Sequence, residues 1–224
     1  MIHTSAEPRI VPAVSLQPLR LYAPSLHAGR TTTEPDHSGN SQHGTLVGWP
    51  AIEGARTADT ASGGSRALQF MSGQRVDVPP VPINPAAVSL DAWTRNGASG
   101  FRNAWGTDGG GANRLWLGLQ NGSTLFVRVG NSVVAQSIAA TTNWIHIAVT
   151  ISGSAVELYA NGQPVGSGTG TLVAPSNWSI GATPAQSLGW DGKLDNLAIY
   201  DAVLTPAQVA ARHAGGRSHN GGLA

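Results

Sequence analysis

The chain has 224 residues, 41% of them hydrophobic and only 11% charged, with 29 Gly, 14 Pro and no Cys. That length holds one β-sandwich with a full core and requires no second domain, and the glycine and proline content favours turns and short strands over long helices. A formal net charge of +1, with twelve Arg and the single Lys193 forming no basic stripe, argues against nucleic-acid binding. The lack of cysteine removes disulfides and thiolate metal sites, and no apolar run approaches a membrane span.

Residues 1–18 read as an extended arm, because Pro8, Pro12 and Pro18 interrupt any long strand. The opening MIHTSAEPRIVPAV has neither a basic n-region nor a continuous apolar h-region, so no secretory signal is expected. A short strand fits Leu19 to Tyr22. In Asp36-His37-Ser38-Gly39-Asn40 three short polar side chains can bond nearby backbone while Gly39 takes a strained turn position, which predicts a turn. Trp49 to Gly64 has no period and reads as loop. Ala67–Phe70 and Arg75–Val78 alternate around Ser72-Gly73, which predicts a hairpin, and Val88–Trp93 alternates as a further strand.

The glycine-rich excursion from Asn96 to Gly111, NGASGFRNAWGTDGGG, is the most ligand-like loop of the sequence. Aromatic rings stack on the apolar face of a pyranose, while amide and carboxylate groups bond its hydroxyls. Phe101, Arg102, Asn103, Trp105 and Asp108 are therefore candidate ligand-binding residues, joined by Trp190 and Asp191 from a later turn. The competing role for Phe101 and Trp105 is to lie on a strand and cover the core.

Leu115 to Val129 forms a hairpin about Asn121-Gly122, with the register open. A two-residue turn sets Leu117 opposite Phe126, whereas a three-residue loop with a bulge changes which faces match. The most regular stretch is NWIHIAVTISGSAVELYANG, Asn143 to Gly162. Ile145, Ile147, Val149 and Ile151 share one side, Val156, Leu158 and Ala160 another, with turns at Ser152–Ser154 and Asn161-Gly162; this predicts two strands, each with one buried face. His146 alternates with these apolar positions beside Trp144 and reads as structural. Asn121-Gly122-Ser123 and Asn177-Trp178-Ser179 fit the glycosylation pattern by chance.

Trp178–Gly181 reads as a strand and Gly189–Gly192 as a turn. Lys193–Tyr200 alternates, with Leu197 and Ile199 on one face and Leu194, Ala198 and Tyr200 on the other. A helix then starts with Thr205 as N-cap, Pro206 at its first position and Gln208 closing a capping box. Leu204 and Val209 form a hydrophobic staple, and Gly215 is the expected stop.

Three strings carry a family resemblance: Asp36–Leu46 (D-x-S-G-N…H-G-T-L), Trp144–Gly162, and GWDGKLDNLAIYDAVLTPAQV from Gly189 to Val209. They resemble the laminin-G-like branch of the concanavalin A-like lectin/glucanase superfamily, over about residues 19–215. The resemblance implies an all-β fold: an antiparallel β-sandwich of jelly-roll type with one short C-terminal helix, preceded by the arm 1–18 and followed by a Gly-rich tail 216–224. Such domains often bind calcium at the rim through an Asp, an Asn and main-chain carbonyls. Asp108 and Asp191 are the rim-loop candidates for such an ion but read better as turn formers. No position maps onto the pattern, so no cofactor or metal is expected, calcium being the one ion the resemblance admits.

The superfamily also contains glucanases, whose hydrolysis needs two carboxyl groups about 5–5.5 Å apart for retention, hence acids two residues apart on a strand. Of Glu7, Glu34, Glu53 and Glu157 only Glu34 has an acid two residues away, Asp36, across Pro35 and in the segment that reads as a turn. Asp191 and Asp195 stand about 13 Å apart if fully extended. A catalytic residue is not expected. A lectin-like sandwich without an export signal points to a product made in the cytoplasm that works elsewhere. The expected function is therefore a non-enzymatic structural or adhesion protein of a virus particle, foremost phage capsid decoration on the virion surface. Its partners would be other virion proteins or copies of itself, reached through the arm. The alternative is a carbohydrate-binding lectin with glycan partners, and a glycoside hydrolase ranks below both.

Overall fold

The computed structural model describes residues 18, 20–22, 32–49, 56–58, 61, 67–71, 73–96, 100–107, 111–139, 141, 143–185 and 187–216. Residues 1–17 of the arm, Leu19 and the tail after Gly216 lie outside these. Two antiparallel sheets stack face to face. The first, sheet A, runs β14 (Gln163–Thr169), β13 (Ala155–Ala160), β12 (Ile145–Ser152), β7 (Ala87–Asn96), β16 (Gly192–Tyr200), β5 (Ala67–Phe70), β4 (Arg56–Thr57), with β1 (Arg20–Tyr22) also paired to β16. Sheet B runs β11 (Ser132–Ser137), β10 (Thr124–Val129), β9 (Leu115–Gln120), β8 (Phe101–Thr107), β15 (Trp178–Ile180), β6 (Arg75–Val78), β3 (Gly44–Val47), β2 (Thr33–Glu34). One α-helix, α1 (Pro206–Gly216), is present among the described residues.

The period-two pattern does what burial demands. Inward residues of sheet A such as Leu68, Phe70, Leu90, Ile147 and Val149 meet Trp105, Leu117, Leu119, Leu125 and Val127 of sheet B in one core. At about 25 cal/mol per Å² of apolar area removed from water, this interior is the principal stabilising term of the domain. Asn161 and Gly162, with φ of 50° and 77°, make the tight turn that the Asn-Gly pair predicts.

Four expectations are corrected. Ala67–Phe70 and Arg75–Val78 are not a hairpin: β5 pairs with β16 and β4 in sheet A, while β6 pairs with β15 and β3 in sheet B, so the chain crosses between sheets there. Strand β12 is not half-exposed, since Ile145 to Ile151 are all buried; α1 covers its outer side, packing Leu204 and Val209 on Ala148, Tyr159, Ala198 and Tyr200. In β16 the register shifts between Asp195 and Ala198, with Asn196 at a φ of 46°. This bulge adds one residue to the strand, so Leu194 joins Leu197 and Ile199 in the main core and leaves Ala198 and Tyr200 outside. Gly215 does not stop the helix, which runs on to Gly216.

The start of α1 forms as its chemistry dictates. Gln208 N–H donates to Thr205 Oγ1 at 3.3 Å and Thr205 N–H donates to Gln208 Oε1 at 2.8 Å. The Asp36 carboxylate accepts from Ser38 N–H (2.9 Å), Ser38 Oγ (2.9 Å) and Gln42 N–H (3.1 Å), which is the turn its sequence predicts.

Candidate functional site

Because paired residues of neighbouring strands share a face, the register identifies what sheet B shows on its outer side. In β8–β9–β10–β11 one row reads Phe101, Gln120, Thr124, Ser137; the next reads Asn103, Gly118, Phe126, Ala135; a third, in β9–β11, reads Trp116, Arg128, Val133. The register is that of a three-residue loop, with Thr124 opposite Gln120 and Leu117 opposite Val127. Asn121 and Gly122 both take positive φ in that loop, 52° and 67°.

Phe101 is 43% exposed and meets Phe126 edge-on at 5.3 Å, while Phe126 itself is buried. A half-exposed ring braced by a buried one is a rigid apolar plate, and Gln120, Thr124 and Ser137 line the same row with amide and hydroxyl groups. Gly118 stands between Asn103 and Phe126 without a side chain, and a Cβ there would collide with the Arg102 carbonyl. Farther along, the Arg114 and Arg128 guanidinium carbons each lie 5.4 Å from the Trp116 ring, whose indole N–H donates to the Thr107 carbonyl at 2.9 Å.

The structure separates the residues singled out from the sequence. Asn96 to Gly111 is not one loop: seven of its residues form β8, a span of about 23 Å. Phe101 remains at the surface, beside Arg102, which is half-buried and donates from one terminal nitrogen to the Phe101 carbonyl at 3.1 Å. Asn103 is fully buried; its backbone N–H donates to Leu188 O at 3.1 Å, and neither side-chain amide atom has a hydrogen-bond partner. Trp105 and Trp190 are corrected from ring platforms to core residues. Both are completely buried, and Trp105 donates from its indole to the Asp91 carbonyl across the interior at 2.9 Å. Asp191 is half-buried just before β16, at the rim that holds Phe101. Asp108 lies outside the described residues. Trp116, Phe126 and Arg128 were missed, although the alternation in Leu115-Trp116-Leu117 and in Leu125–Val129 signalled that they point away from the core.

The outer side of sheet A is organised differently. Asp91 of β7 is fully buried and accepts two hydrogen bonds from Arg212 of α1, at 2.8 and 3.1 Å. Burial pushes the Asp91 carboxyl up, but the Arg212 charge and its hydrogen bonds, with His146, more than offset this and hold it below the ordinary carboxylate range. His146 is buried with its Nε2 at 3.6 Å from Asp91, and Trp93 stacks on His213 at 5.3 Å. Asp195, buried and held by the N–H groups of Asn196 (2.9 Å) and Ala61 (3.1 Å), is pushed up to about 7 by desolvation. A groove of about 300 Å³ opens where α1 begins, lined by Ser152, Glu157, Tyr159 and Thr205 among others. Tyr159 donates to Glu157 there at 2.6 Å, and burial pushes the phenol up to about 12. Among the described residues no group of three or more His, Cys, Asp or Glu is placed to hold a metal ion, and no helix is long and apolar enough to cross a membrane.

Two stacked antiparallel sheets with a capped C-terminal helix define a lectin-type β-sandwich. The chain belongs to the concanavalin A-like lectin/glucanase superfamily, whose laminin-G-type model matches residues 70–210. A comparison with curated proteins finds no match. Similar solved structures include domain 4 of AbnA, a GH43 extracellular arabinanase from Geobacillus stearothermophilus, in complex with arabinotriose. It has 19% identity and a TM-score of 0.67 over 88% of this chain and 98% of that one. The Ruminococcus gnavus IT-sialidase CBM40 bound to α2,3-sialyllactose matches at 13% identity and a TM-score of 0.55, over 65% of this chain and 95% of that one. The binding domain of botulinum neurotoxin serotype D matches at 12% identity and a TM-score of 0.63, over 89% of this chain and 52% of that one. At these identities the likeness is one of fold.

Proposed function

We propose that this chain is a non-catalytic carbohydrate-binding module that holds a glycan on the outer face of sheet B. The observation that carries the reading is Phe101: a ring 43% exposed on a flat sheet face, braced by Phe126 and flanked by Gln120, Thr124 and Ser137. A pyranose stacks its apolar side on such a plate and offers its hydroxyls to the neighbouring amide and hydroxyls. Similar folds that bind arabinotriose and sialyllactose support the class. A non-enzymatic role is supported by three acids that are already engaged, Asp91 with Arg212, Asp195 with backbone N–H groups and Glu157 with Tyr159.

The narrower expectation, capsid decoration with a virion-surface location, draws no support from the three similar structures described above. The test is Phe101→Ala in glycan binding measured by array and calorimetry. Loss of at least about tenfold in affinity, or ~1.4 kcal/mol, with an unchanged melting profile is expected. Full retention of binding by the variant would remove this face as the site.

A further inference from the structure

We propose that the glycan held on sheet B is acidic, and that Arg128, supported by Arg114 on Trp116, receives its carboxylate or sulfate. This deepens the reading above and rests on it. Trp116 is the base of a cation cluster: both guanidiniums lie 5.4 Å from its ring, and its indole N–H is fastened to the Thr107 carbonyl. An aromatic ring used this way holds cations in place through its negative π-face, so the two positive charges are fixed at one end of the face before any ligand arrives.

Arg128 carries the argument. Its Nε–H is buried without an acceptor, and among the described residues its guanidinium has no ion pair; the Trp116 ring is its contact. With Nε turned in, the terminal nitrogens are the donors a ligand can reach. The rows of the outer face that share its strand hold Phe126, Ala135 and Gly118, then Thr124, Gln120 and Ser137, none of them acidic. Sheet B manages charge differently elsewhere on that face: Arg75 of β6 is neutralised by Asp77, two residues on, through bonds of 2.5 and 3.1 Å. Two outward arginines of one sheet therefore differ, one matched with a carboxylate and the other left on a ring.

Distance agrees with a short acidic oligosaccharide. From the Phe101–Thr124 row to the Trp116–Arg128 row is four residues along β10, about 13 Å, a length that two to three sugar rings bridge. One ring would stack on Phe101 and the acidic group would meet the guanidinium. A planar guanidinium is well shaped to take carboxylate or sulfate oxygens in pairs.

The experiment uses the full chain and three probes, lactose, sialyllactose and a sulfated lactose, each titrated at low and high salt. At low salt the acidic probes are expected to bind at least tenfold tighter than lactose, with the difference shrinking as salt screens the contact. Arg128→Gln should erase that preference, bringing the acidic probes down to the affinity of lactose, while Arg128→Lys, which keeps the charge, should retain part of it. A folding check by circular dichroism accompanies each variant. Sialyllactose preferred over the sulfated probe assigns a carboxylate, and the reverse a sulfate. Equal, salt-independent binding of all three probes by a chain that still needs Phe101 would overturn the acidic assignment alone. Binding of none of them would overturn it together with the carbohydrate-binding reading.

Discussion

The two outer faces of this sandwich start from the same alternating strands and end with opposite roles. Sheet A is roofed by α1: Leu204 and Val209 cover Tyr159 and Tyr200, and the Asp91–Arg212 pair is sealed beneath. Among the described residues no α-helix packs on sheet B, and its β8–β11 end leaves Phe101 exposed and Trp116 and Arg128 half-covered. On sheet A Asp91 is committed to the roof through Arg212, whereas on sheet B Phe101 stays 43% exposed and Arg128 rests on the Trp116 ring. A charged or aromatic residue on a strand is informative only once it is known what lies over it.

The largest blow to the roofed face is Arg212→Ala. It strands the Asp91 carboxylate, fully buried in the native fold, and is expected to cost about 3–5 kcal/mol in chemical denaturation, while glycan binding by the surviving folded fraction stays intact. Acid should act in the same direction on the wild type. The Asp91 carboxyl is held below its ordinary value of 3.8 in the folded state, so its contribution is present above that pH and is lost as pH falls through the lower folded value.

Asp195 has the opposite sign. Its folded value is about 7 against an ordinary 3.8, so the native state holds the proton more tightly and stability should fall as pH rises from about 4 to 7. Asp195→Asn should flatten that slope by on the order of 3 kcal/mol; an unaltered slope in parallel denaturation series would refute the assignment. A smaller effect is expected at the edge of the roof, where Thr205→Ala removes the helix cap and should cost about 1 kcal/mol. The smallest stability effect belongs to the open face. Phe101→Ala should lower stability by less than about 1 kcal/mol while affecting glycan binding most, and a large stability loss there would show that the ring is structural after all.

Much of this was legible in the chain because it is local. The alternation of Ile145 to Ile151, the Asn161-Gly162 turn and the Thr205–Gln208 cap each depend on residues within a few positions of one another, and each formed. Among the candidate site residues, the sequence left Phe101 and Trp105 open between a ligand platform and a strand residue covering the core. The structure puts Phe101 at the surface but Trp105 and Trp190 in the core, because no short-range pattern tells which side of a strand meets a second sheet. The glycine-rich stretch misled for a related reason: Gly106 is there so that Ala182 can pass over β8, with a Cβ coming within 2.6 Å of its carbonyl oxygen. That need arises from a segment more than seventy residues away in the chain.

What the amino-acid order determined alone was the set of strands, the turns and the helix start, since backbone conformation and side-chain period are settled between near neighbours. The tertiary structure decided the rest. One extra residue in the Asn121–Ser123 loop sets Arg128 opposite Trp116 and places both outside the core, and one bulge at Asn196 returns Leu194 to it. Because strand faces alternate with every residue, a shift of a single position exchanges interior for surface, and only the pairing of distant segments settles that choice.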